Sequence, residues 1–206
     1  MKKTWLLLLS FATLFTLAAN PAAAGAKVPM NLGGFTLGAD IHDYKDRIDL
    51  DTCHAVRYQE YLSEGVMKPS PGFKSGLISF GLCDKVHKVV RIKLKFLNPS
   101  KRFFKKLLKK YEKQLGPPDE YKGDPFQTMI AWKWSFESDS GQRVSLTLQH
   151  NLADTDEKIG NAVKMTLVDQ VEREKECFYK KHPEKVSPLP VDELKGKAMW
   201  EMYVPY

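Results

Sequence analysis

The 206-residue chain has no Gly-x-Ser-x-Gly elbow, no Cys-x-x-Cys pair, no His-Glu-x-x-His motif and no glycine loop of the kind that cradles phosphate. The familiar signatures of serine hydrolases, thiol oxidoreductases, zinc peptidases and nucleotide-binding proteins are therefore missing. Cysteine is sparse, at three residues, which argues against a fold held together chiefly by disulfides. Beyond the first 26 residues no apolar run approaches the ~20 residues of a membrane-spanning helix. No groove-reading motif accompanies the positive charge, so nucleic acid is not the expected partner. The expectation is a non-enzymatic protein with neither cofactor nor metal.

What is present begins with an address. Lys2 and Lys3 precede an apolar run from Trp5 to Ala19, and Asn20-Pro21-Ala22-Ala23-Ala24 follows. This is the layout of a secretory signal peptide, cleaved after Ala24, with Ala26 as the alternative. No cysteine near the cleavage site offers a lipid attachment point, so the expected product is soluble and exported. The short Lys-Lys start and Ala-rich end point to a bacterial periplasm. The formal charge of +7 stays positive once the two leader lysines are lost. The expected organisation is a signal peptide over 1–24, a folded domain over 25–170, and a tail over 171–206. That tail holds the charged segment VEREKECFYKKHPE, an extended linker at Pro188 and Pro190, and Trp200, Met202 and Tyr203, which suggest that its end packs back on the protein.

The clearest local signal is NPSKRFFKKLLKKYEKQLGPP, residues 98–118. Asn98 and Pro99 suit a helix start, and Gly116 followed by Pro117 and Pro118 ends it. Phe103, Phe104, Leu107, Leu108, Tyr111 and Leu115 share an arc of roughly 140° at 100° per residue. Lys101, Arg102, Lys105, Lys106, Lys109, Lys110 and Lys113 take the other side. A shorter helix is expected after Asp40, where Ile41, Tyr44 and Ile48 recur at helical spacing. Alternating apolar residues predict strands at about 52–62, 75–83 and 88–97, then 128–138, 142–150 and 162–170. The order is helix, three strands, helix, three strands. The expected fold is α+β: two helix-βββ units forming an antiparallel sheet with the helices packed on one face, and Ile130, Trp132, Trp134 and Phe136 turned toward the long helix.

This twice-given order resembles the fold of the β-lactamase-inhibitor proteins and the SmpA/OmlA-type outer-membrane assembly proteins. Phe35-Thr36-Leu37-Gly38 before the first helix, and Leu115-Gly116-Pro117-Pro118 followed by Trp132-Lys133-Trp134, carry the likeness over 33–170. The resemblance implies that architecture and the general role of a protein-binding module. It places no individual contact residue.

Core matching of the first two predicted strands sets position 53 opposite position 83, which predicts a Cys53–Cys83 disulfide and leaves Cys177 over. A metal site from Cys53, His54, Cys83 and His87 is the weaker alternative, because His54 points through the sheet away from Cys53. Asp40-Ile41-His42-Asp43 reads as a cap with a solvated first turn. The outward strand positions are basic: Arg57, Arg91, Lys93 and Lys95 in the first half, Lys133, Arg143 and Lys164 in the second. With the lysine-rich helix they give two positive surfaces on opposite sides, which suit an acidic protein or another anionic envelope component. The alternative function is a small-ligand or lipid-binding protein with a pocket between helices and sheet, lined by Phe104, Trp132 and Trp134.

Overall fold

A computed structural model of the chain describes residues 28–151 and 160–186. The leader and the Trp200-Met202-Tyr203 tail lie outside the described residues. A small hairpin, β1 (Asn31–Leu32) with β2 (Phe35–Thr36), is followed by a single 3-10 turn, Ile41–Tyr44, and by strands β3 (Ile48–Val56), β4 (Gln59–Met67), β5 (Phe73–Gly81) and β6 (Val89–Phe96). Helix α1 (Lys101–Leu115) comes next, then β7 (Glu120–Tyr121), β8 (Met129–Glu137), β9 (Arg143–Asn151), β10 (Asn161–Leu167) and helix α2 (Val168–Lys181). Strands β3 to β10 form one antiparallel eight-stranded sheet in the order β3-β4-β5-β6-β10-β9-β8-β7. The fold is α+β, as expected.

α1 forms where the sequence placed it. Ser100, rather than Asn98, is the cap: its Oγ accepts from the Phe103 amide at 3.2 Å, while Asn98 Oδ1 holds the Ser100 amide at 3.0 Å. Gly116 ends the helix at φ 83°, a left-handed value that favours glycine. The apolar stripe closes over a core that includes Ile92, Met165, Leu146 and Trp134, each at most 3 % exposed. The expected aromatic face is turned the right way: the Trp134 ring lies 5.9 Å from that of Tyr111, and its indole N–H donates to Gly116 O at 2.9 Å.

Several expectations are corrected. The predicted strand 52–62 is two strands: Arg57 and Tyr58 form a tight turn, Tyr58 at φ 61°, and Val56 pairs with Gln59 across it. No glycine, proline or asparagine marks that turn, so alternation ran straight through it. The predicted first helix is only the 3-10 turn, with Asp40 capping it by accepting from the His42 amide at 3.0 Å. That bond, before any other influence, holds the Asp40 carboxyl at a pKa of about 2. The second helix is instead α2, in the charged segment after β10, and it packs on the face of the sheet opposite α1. Helices on one face are not needed, because Phe35, Leu37 and Ile41 from the N-terminal segment already close the first half of the α1 face.

α2 is fastened differently from α1. Its Glu174 is fully buried and accepts from the amides of Cys83 at 2.7 Å, Asp84 at 2.9 Å and Lys85 at 2.7 Å, with Gln170 Nε2 donating at 3.0 Å. Gly81 makes room, since a Cβ there would sit 2.2 Å from the Glu174 carboxylate. Three residues on, Cys177 is bonded to Cys83. The expected Cys53–Cys83 pair is therefore wrong. Once 52–62 divides, β4 lies between β3 and β5, and positions 53 and 83 are not neighbours. Cys53 is the free thiol among the described residues, and Cys83 is no longer available to a metal.

Candidate functional site

Alternation along each strand sends one set of side chains to the α1 face and the other to the reverse face. On β6, Ile92 and Leu94 enter the core, so Arg91, Lys93 and Lys95 emerge on the reverse face. On β10, Val163 and Met165 enter the core, and Lys164 emerges. Registers then align residues that the sequence could only assign to a face. Lys93 pairs directly with Lys164, Lys164 with Thr147, and Thr147 with Lys133. With adjacent strands about 4.8 Å apart, this makes one transverse row across four strands. Arg91 lies one step along β6, its pair Thr166 on β10.

The row carries little countercharge. Lys133 at its far end has Glu120 at 3.6 Å, while no carboxylate lies within ion-pair distance of Lys93, Lys95 or Lys164 among the described residues. Desolvation, followed by repulsion from Arg91, Lys93 and Lys133, pushes the Lys164 ammonium below the usual lysine range. Desolvation also lowers Arg91, against the stabilising charges of Tyr61 and Glu64, and Gln59 Oε1 accepts from its guanidinium at 2.8 Å.

The other two expected contact residues stand apart from the row. Arg143 is occupied by Asp169 at 2.6 Å and Glu172 at 2.5 Å, both on α2, so its role is to tie down that helix. Arg57 sits in the β3–β4 turn against the Tyr58 ring at 4.8 Å, apart from the row. Six of the seven nominated cations emerge on the reverse face, and five of them, Arg91, Lys93, Lys95, Lys133 and Lys164, make no ion pair with α2. Thr147 was missed, because its place in the row follows from strand order alone.

Among the described residues Phe104, Trp132 and Trp134 do not line the roomy pocket that a small-ligand site would need. Phe104 is buried and stacks on His150 at 5.4 Å, Trp134 is packed solid, and a cleft of about 250 Å³ remains beside Phe104, Leu108, Ile130 and Trp132. Drug-sized ligands need roughly 300–1,000 Å³. A groove of about 1090 Å³ runs between α2 and the β3–β4 turn, where Glu60, Glu172 and Glu176 accompany Lys175 and Lys185. Its mixed charge does not select an anion.

Among the described residues no helix is long and apolar enough to cross a membrane. The Cys83–Cys177 disulfide fits an oxidising compartment. Compared with family models, with curated proteins and with solved structures, the chain matches none.

Proposed function

We propose that this is an exported, periplasmic, non-enzymatic binding module that engages an acidic macromolecular partner through the reverse face of its sheet. The observation that carries the reading is the direct pairing of Lys93 with Lys164, with Arg91 and Lys133 close by. Like charges opposite one another on a sheet destabilise it. A solvent-facing row open to any polar residue has no packing reason to keep them. An anionic partner would relieve the repulsion on binding, and the sheet presents the cations in a fixed geometry that needs little ordering. The packed interior under α1 supports a macromolecular partner over a small enclosed ligand. Export is supported by the leader-like N-terminus and the disulfide. The tandem relation belongs to the same proposal in its strands: β3–β6 and β7–β10 each extend outward from the β6–β10 seam, the kind of doubling expected of the assembly and inhibitor proteins.

Titration with polyglutamate as a defined acidic probe tests the proposal. The Arg91→Gln, Lys93→Gln, Lys164→Gln variant should lose most of the binding, and wild-type binding should weaken steeply with salt, whose screening length is about 8 Å at physiological strength. Equal binding by variant and wild type at low salt would return these cations to an ordinary solvated surface.

A further inference from the structure

The basic face of α1 lies on the other side of the molecule and has its own apolar borders. Lys101, Lys105 and Lys109 follow one another at i, i+4, as do Arg102, Lys106 and Lys110, so like charges are neighbours along two adjacent rows, an arrangement that weakens a helix. Among the described residues no carboxylate is within ion-pair distance of any of the six. At the N-terminal end of this face, Leu97 is 65 % exposed beside an apolar groove of about 530 Å³ formed by Phe73, Phe96 and Phe103. On the other flank is Phe126, 89 % exposed, in the β7–β8 loop. Its neighbour Gln127 lines the same small cleft as Lys101 and Lys105.

The exposure of Phe126 is built into its loop. The Asp124 carboxylate accepts from the amides of Phe126 at 2.8 Å, Thr128 at 3.2 Å and Met129, and from the Thr128 hydroxyl at 2.7 Å. These bonds, the Met129 amide first, hold its pKa at about 2. The loop therefore displays the phenyl ring instead of folding it away.

We propose that this surface docks on an anionic lipid bilayer, with the α1 cations at the phosphate layer and Phe126 and Leu97 dipping to the hydrocarbon boundary. Charge complementarity alone would equally suit an acidic polymer. The apolar borders favour a bilayer, because an anionic layer with hydrocarbon just beneath it satisfies both kinds of side chain at one depth. α1 lies flat and does not insert, since its apolar stripe is spent on the sheet. This contact uses residues separate from the reverse-face row, so either can fail without the other.

Flotation of the full chain, expressed with its own N-terminus, on vesicles of phosphatidylcholine alone or mixed equally with phosphatidylglycerol tests the inference. Wild type should float with the mixed vesicles only. The Lys105, Lys106, Lys109 and Lys110→Gln variant should lose tenfold or more in affinity, at about tenfold for each 1.4 kcal/mol of lost attraction. Phe126→Ser, which leaves the charge untouched and the loop's backbone bonds in place, should lose roughly fivefold. Lys93→Gln with Lys164→Gln should float as wild type does. Absence of flotation on the mixed vesicles would overturn the proposal. So would flotation indifferent to Phe126→Ser, which would mark an acidic polymer as the ligand, or flotation abolished by the Lys93/Lys164 variant.

Discussion

Strands β6, β8, β9 and β10 present two unlike surfaces from the same residues' alternation. Toward α1 they send Ile92, Trp134, Leu146 and Met165, which are closed off from water; away from it they send Lys93, Lys133, Thr147 and Lys164. The first face is specified by packing, where each side chain has neighbours to satisfy. The second is specified only by what stability tolerates and by what binds there, so a like-charge pair on it says more about a partner than any residue of the core does. α2 sharpens the contrast, because it closes only one end of the reverse face and needs a buried carboxylate, two ion pairs from Arg143 and a disulfide to stay there.

The largest effect should come from the packed face. Phe104→Ala removes a buried ring from between α1 and His150 and should cost about 4 kcal/mol in denaturant unfolding. A cost under about 1 kcal/mol would mean that α1 is not seated as described.

Next in size is the fastening of α2. Glu174→Ala removes the buried acceptor of three part-buried amides and should cost about 3 kcal/mol, with hydrogen exchange speeding up in α2 before α1. Reduction of the Cys83–Cys177 bond in the same variant should free α2 further, whereas equal exchange rates in both helices would contradict the separate attachment.

A pH effect of intermediate size comes from His150, fully buried with Nδ1 2.7 Å from Asn161 Oδ1 and Nε2 without a partner among the described residues. Burial, aided by Lys101, lowers its pKa below 6.5 despite the Asn161 bond. The unfolded chain then binds the proton more readily, so stability falls as pH drops below 6.5 toward the lower native value, and is fully present above 6.5. Asp40 and Asp124 contribute in a separate window, losing their stabilisation only between about 3.8 and about 2. His150→Phe should flatten the upper window alone in a pH series of thermal melts.

The smallest effect has the opposite sign. Lys164→Gln removes a charge from a crowded row and should stabilise the protein by about 0.5 kcal/mol at low salt, with the gain fading as salt is added. Destabilisation would show that Lys164 has a structural partner.

How much of this was legible in the chain follows the same division. α1, the five longer strands from β5 onward apart from their ends, and the direction of Trp134 were readable because periodicity and punctuation agree there. The β3–β4 hairpin was not, since Arg57-Tyr58 turns without a turn residue and Tyr58 takes a positive φ unaided by sequence. That one miss carried the cysteine pairing with it. α2 was hidden because its anchor, Glu174, is a charge in a charged segment, and its burial depends on amides about 90 residues earlier. The basic face was visible as alternation, but the row was not: Lys93 meets Lys164 only because β6 and β10 are neighbours, a fact of strand order.

The most direct test of that row is to follow the lysine side-chain NMR signals while polyglutamate is added at low salt. The account predicts that the signals of Lys93, Lys164 and Lys133 shift first and saturate together, with the Lys164 amine titrating nearer its ordinary range once the acidic chain is bound. Shifts spread evenly over all lysines, or confined to α1, would contradict it.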